Sequence, residues 1–172
     1  MALRTIVKYP DPQLRLISKS VEDPKDPELR ALVEDMAETM YAANGAGLAA
    51  IQVGVPLRLF IVDAAIAGGS EEDPPLAFIN PELVWLSDEK ETGDEGCLSF
   101  PGIYVPIARS LRARIRATDL EGKEFELDGE GLLARAFQHE SDHLDAKLLA
   151  DYVGRIKRQL IERKLARAGQ DS

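Results

Sequence analysis

The stretch QHESDHL, residues 138–144, holds both of the chain's histidines, His139 and His143, four positions apart with Glu140 between them. That spacing constrains the fold more than any other feature of the 172 residues. On a helix, residues i and i+4 lie one above the other on a single face. Two imidazoles placed so can grip one metal ion from the same side, and the adjacent glutamate can act on a water that the ion holds. The plainer reading is two packing histidines beside a solvated charge. A lone histidine usually deserves that reading; here it must account for both histidines and a neighbouring acid at once. The spacing therefore predicts a helix from Gly131 to about Leu144, with the imidazoles directed at a metal.

The length suits a single domain spanning 1–172 with one sizeable core. Apolar residues make up 45% and charged residues 30%, which is an ordinary globular balance. No apolar run approaches the ~20 residues of a membrane span, so no membrane partner is expected. MALRTIVKYPDPQLR has neither the apolar core nor the small-residue cleavage site of a secretory signal. One cysteine cannot form an internal disulfide, and a reducing cytoplasm is the expected compartment. A net charge of −9 argues against general nucleic-acid binding and against specific DNA recognition. The charge is uneven: Gly154–Ala168 sets six basic residues against the single Glu162.

Asp26-Pro27 reads as a helix cap followed by proline at the first helical position. Leu29, Leu32, Val33, Met36 and Met40 then recur at helical spacing up to a stop at Asn44-Gly45. Leu57 to Asp63 reads as a buried strand, Gly68 to Pro75 as a loop, and Leu76 to Ser87 as two strands broken at Pro81. Arg112–Asp119 and Lys123–Gly129 alternate with period two around a turn at Leu120–Gly122, a hairpin pattern. A last helix is predicted over about 154–168, with Val153, Ile156, Leu160 and Leu165 as its apolar stripe. Helices at both ends of a strand-rich middle predict an α+β fold, a mostly antiparallel sheet around a central helix that carries the histidines.

A catalytic metal site of this kind commonly takes three protein ligands and keeps one position open. A third histidine in the H-E-x-x-H-x-x-G-x-x-H pattern is excluded, because Ala146 and Leu149 occupy the glycine and histidine positions. Glu162 stands at a suitable distance in sequence, but among Arg158, Arg163 and Lys164 it reads better as a helix-surface partner. Cys97, in EGCLSFPG, is the other candidate. By composition it could be a buried structural cysteine. Gly96 before it and Pro101-Gly102 after it suggest instead a tight, exposed backbone rather than a strand interior, and thiolate is a good ligand for zinc or ferrous iron. A third stretch, GAGLAAIQ (45–52), is either a helix stop followed by small packing residues or a place where a substrate backbone comes close. In the second case Gln52 offers an amide donor to an oxyanion.

GAGLAAIQ, EGCLS (95–99) and QHESDHL occur in the order found in peptide deformylases, and the chain resembles that family over nearly its whole length. The resemblance implies one divalent metal held by Cys97, His139 and His143, ferrous iron by preference, with zinc or nickel in some preparations. Water would be the fourth ligand. Glu140 would take a proton from that water and return it to the leaving amine. The backbone N–H of Leu98 and the side-chain amide of Gln52 would stabilise the oxyanion. Ala46 and Gly47 would line the substrate cleft. The substrate would be an N-formylmethionyl peptide and one product formate. The basic last helix would dock on the ribosome near the exit of the nascent chain.

Three positions depart from the family's usual pattern. Ala46 replaces a valine or isoleucine, and Ala146 replaces a glycine, which is expected to be benign. Arg135 lies one turn before His139, where an apolar residue would suit a methionine pocket. Either its guanidinium leaves the pocket for solvent or an acid such as Glu130, or it narrows the pocket and contacts substrate. Rival readings are a peptidase using Glu162 as third ligand, an inactive relative kept for ribosome binding, and a structural zinc site closed by an acidic fourth ligand.

Overall fold

The computed structural model describes residues 2–170. It is α+β. The first helix, α1 (Pro27–Ala42), starts where the sequence predicts: the Asp26 carboxylate accepts the Glu28 N–H at 2.9 Å, with Pro27 in the first turn. It stops with Asn44 at φ 57° while the Gly45 N–H reaches back to the Met40 carbonyl at 2.9 Å.

Five strands form one antiparallel sheet in the order β1 (Gly47–Ala49), β2 (Leu59–Val62), β3 (Leu76–Leu86), β6 (Arg112–Thr118) and β7 (Glu124–Glu130). Two more strands, β4 (Lys90–Cys97) and β5 (Phe100–Ser110), form a separate long hairpin. The helix α2 (Leu132–Leu144) lies on one face of the five-stranded sheet, and α3 (Arg155–Gln170) follows it.

The run LFIV in β2 is apolar throughout because both of its faces are covered. Phe60 and Val62 join the cluster with Phe137, Ala134 and Leu133 of α2, while Leu59 and Ile61 join the cluster with Met36 and Met40 of α1. A third cluster joins Ile103, Val105 and Ile107 of β5 to Tyr9, Leu14 and the buried Ile161 and Leu165 of α3. No described helix is long and apolar enough to cross a membrane.

Three local expectations are corrected. Pro81 does not split its segment into two strands. β3 is continuous, and its register with β6 shifts between Ile79 and Glu82. Asn80 sits there at φ 50°, and its side-chain amide both accepts the Val21 N–H (2.8 Å) and donates to the Val21 carbonyl (3.0 Å). It does the work of a backbone group across the irregularity. Cys97 is not in an exposed loop: it ends β4 and pairs with Phe100 across a two-residue turn of Leu98 and Ser99. On α3 the buried residues are Ile161 and Leu165, whereas Ile156 (77% exposed) and Leu160 (55%) face outward.

Candidate metal centre

The candidate ligands singled out in sequence come together from two elements. The hairpin tip supplies Cys97 and α2 supplies His139 and His143. Their ligand atoms lie within 4.8 Å of one another. Cys97 Sγ is 3.4 Å from His143 Nε2. The two imidazole centroids are 5.1 Å apart at 74°, as expected for side chains one turn apart on a helix. Among the described residues these three form the grouping able to hold a metal ion. Glu162 is not part of it; its Oε1 accepts the Tyr9 hydroxyl at 2.9 Å.

Glu95 orients His139. One carboxylate oxygen, Oε1, lies 2.9 Å from His139 Nδ1. A carboxylate only accepts, so Nδ1 carries a proton, which leaves Nε2 as the nitrogen available to a metal. The same carboxylate accepts both arms of Arg109, at 2.7 and 2.8 Å, and Arg135 Nη1 at 2.7 Å. Burial pushes the Glu95 carboxyl up, but the hydrogen bonds from Arg109 and His139 and their charges bring it down to about 2. Burial likewise disfavours the imidazolium of His139, yet Glu140, Cys97 and Glu95 hold its pKa well above the ordinary value. His143 is driven well below it by burial and by the charges of His139 and Arg109. Its Nδ1 is buried with no hydrogen-bond partner among the described residues.

Glu140 is 5% exposed, and burial pushes its carboxyl up to about 7. Its Oε1 also has no partner among the described residues. An acid held near neutrality, with one oxygen lacking a hydrogen-bond partner among the described residues and its side chain lining a cleft, is placed to exchange a proton with whatever occupies that cleft. The neighbouring strand β1 makes room for it: a Cβ on Gly47 would lie 2.7 Å from Glu140 Oε2.

Gln52 is 1% exposed, in the short turn after β1. Its Oε1 accepts the Ala49 N–H at 2.9 Å, which fixes the amide's orientation. Its Nε2 donates to Ser99 Oγ at 3.0 Å and lies 3.4 Å from Cys97 Sγ. A cleft of about 720 Å³ opens over these groups, lined by Ala46, Gly47, Leu98, Arg135, His139 and Glu140 among others. Arg135 therefore borders the cleft, but its acid partner is Glu95; Glu130 faces Arg112 instead.

A polypeptide deformylase family model matches residues 3–159. The chain belongs to the polypeptide deformylase family. Relatives named peptide deformylase include one from Bartonella tribocorum, 46% identical over 99% of this chain and 96% of its own length, and one from Azotobacter vinelandii, 49% identical over 96% and 95%. The crystal structure of a peptide deformylase from Legionella pneumophila matches with a TM-score of 0.90 at 43% identity, covering 98% of this chain and 96% of that one. The Ehrlichia chaffeensis enzyme, solved with actinonin, also gives 0.90, at 39% identity and 98% of both chains. Deformylases are metalloenzymes that remove the formyl group from nascent peptides, and the sulfur–imidazole–imidazole grouping fits that chemistry: it is a donor set for a divalent transition metal.

Glu95, Arg109, Asp142 and Ser99 carry no role in the sequence reading, although three of them sit inside or beside its motifs. Their parts depend on partners distant in sequence. Arg109 alone had a local signal. Ile103, Val105, Ile107 and Arg109 alternate inward along β5, so the arginine falls in line with three core residues.

Proposed function

We propose that residues 1–172 act as one catalytic domain that hydrolyses the formyl amide of N-formylmethionyl peptides, with Cys97, His139 and His143 holding one divalent metal, ferrous iron in the cell and zinc or nickel in some preparations. The observation that carries this reading is the meeting of the three ligand atoms beside the buried, unpartnered oxygen of Glu140. When bound, the metal supplies Lewis acidity, which makes a water nucleophilic near neutral pH and polarises the carbonyl. Glu140 takes the proton of the attacking water and passes it to the amine as the C–N bond breaks, giving formate and a free N-terminus. Charge that develops on the carbonyl oxygen is met by the Leu98 N–H and by Gln52. Ser99 occupies one hydrogen of the Gln52 amide; the other lies toward Cys97 Sγ in a long contact that an oxyanion can replace. Removing such a donor typically lowers turnover by about 10²–10³. Ala46 and Gly47 offer their backbone to the peptide, and the side of Arg135 closes the cleft where the methionine side chain enters. The enzyme works in the cytoplasm, and α3 brings it to the ribosome.

The test is formate release from a short formyl-Met peptide, with protein reconstituted anaerobically with Fe²⁺, Ni²⁺ or Zn²⁺, alongside Glu140→Ala and Cys97→Ala. Release that needs metal and is lost in both variants is the expected outcome. Folded, metal-loaded protein that releases no formate with any metal would overturn it.

A further inference from the structure

Two arginines cross in opposite directions between the elements that carry the metal ligands. Arg109 leaves the β4–β5 hairpin and reaches Asp142 of α2 at 2.7 Å, besides its two bonds to Glu95. Arg135 leaves α2 and reaches the hairpin three times. Its Nη1 donates to Glu95 Oε2 (2.7 Å) and to the Ile107 carbonyl (2.9 Å), and its Nη2 to the Glu91 carbonyl (2.7 Å). The fork thus touches both strands of the hairpin that ends in Cys97, from a residue one turn before His139. Gly93 leaves the space over the guanidinium open: a Cβ there would sit 3.4 Å from Cζ. With these three bonds made at 16% side-chain exposure, the guanidinium's donors are directed at the hairpin rather than into the cleft.

We propose that Arg135 is a positioning residue for the metal: it fixes the distance between the cysteine-bearing hairpin and the histidine-bearing helix, and so preorganises the ligand set before the ion arrives. The inference rests on the proposed ligand set but not on the proposed substrate. Its physical basis is the planar fork, which reaches two carbonyls and a carboxylate at once; a lysine's single ammonium cannot reproduce that geometry. Partners that orient metal ligands typically contribute 10–100-fold to metal affinity.

A purely electrostatic role would act with the opposite sign. Arg135 is a cation near a cation site, so taking its charge away should then tighten metal binding. Two variants separate the readings. Arg135→Met keeps the bulk and loses the charge; Arg135→Lys keeps the charge and loses the fork. Co²⁺ affinity is measured by competition with a chromophoric chelator, and the sulfur-to-Co²⁺ charge-transfer and d–d bands report ligand geometry. Both variants are expected to bind Co²⁺ at least about tenfold more weakly and to show altered bands, with amide exchange in β4 and β5 accelerated. Unchanged or tighter binding by Arg135→Met, or wild-type affinity and spectrum in Arg135→Lys, would overturn the proposal. Should Arg135→Met fail to fold, the lysine variant decides alone. None of these readouts needs a substrate, so a wild-type protein that binds Co²⁺ as described but releases no formate would sink the proposed function and leave this inference standing.

Discussion

Gly47 has no room for a side chain. An added methyl would meet Glu140 Oε2 at 2.7 Å, and the carboxylate, not the backbone, is the part able to move. Gly47→Ala should therefore swing Glu140 away from its proposed proton-transfer position while leaving Cys97, His139 and His143 in place. We expect kcat/KM for formate release to fall by about 10² or more, with metal content by elemental analysis unchanged. Ala146 shows the reverse case. It holds φ 63°, in the left-handed region, so the exchange of glycine for alanine there is not benign as the sequence suggested. That conformation costs a non-glycine residue about 1–2 kcal/mol, part of which glycine's greater unfolded-state freedom offsets. Ala146→Gly should raise the urea midpoint by an amount equivalent to up to about 1 kcal/mol, with activity unaltered. Cys97, His139, His143, Glu140 and Gln52 could be singled out because motifs carry them in short runs. Glu95 was not, although it sits in EGCLS, because its meaning comes from Arg109 and Arg135, 14 and 40 residues away.

At the scale of elements, α1, the β6–β7 hairpin and α2 announce themselves through caps, alternation and helical spacing. The β4–β5 hairpin does not. KETGDEGC has almost no apolar residues and two glycines, and FPGIYVPIARS contains two prolines, both of which weaken a strand pattern. This hairpin is held to α2 by charge as well as by packing, and that has a pH signature. Glu95 titrates near 2 in the fold against an ordinary 4.5. A lowered folded pKa gives stability that is complete above the unfolded value and is lost as pH falls through the folded one. Metal-free protein should accordingly lose stability from about pH 4.5 toward pH 2. Glu95→Gln should lack that component of the slope and, by leaving buried Arg109 short of its partner, be less stable by about 3–5 kcal/mol at neutral pH. Urea titrations from pH 3 to 7 check both.

Across the whole molecule, three packed clusters share the work, and α3 belongs to one of them. Ile161 and Leu165 lie in the cluster with Phe100, and Glu162 accepts the Tyr9 hydroxyl. Cutting the chain before α3 would therefore unsettle the hairpin next to Cys97. The proposed ribosome contact is better tested by reversing charge on residues that face outward: Lys157, Arg163 and Arg167 are exposed. Their triple replacement by glutamate should abolish salt-sensitive cosedimentation with ribosomes and leave cleavage of short peptides intact; undiminished cosedimentation would remove the idea. The sequence could divide basic from apolar positions on this helix, and Val153 and Leu165 of its stripe do pack inward, but Ile156 and Leu160 do not and Ile161 was missed, because which face turns inward is decided by what α3 lands on.

The crowding of Glu95 has a consequence for which metal the protein selects. Its two oxygens already take four hydrogen bonds, two from Arg109 and one each from Arg135 and His139. A carboxylate in that condition has no lone pair left to give an ion. A carboxylate free to coordinate is a hard oxygen donor of the kind that suits magnesium, calcium or manganese. With Glu95 saturated, two nitrogens and a sulfur would set the softness of the proposed site, and the arginines that occupy this carboxylate would guard against hard cations without touching the metal.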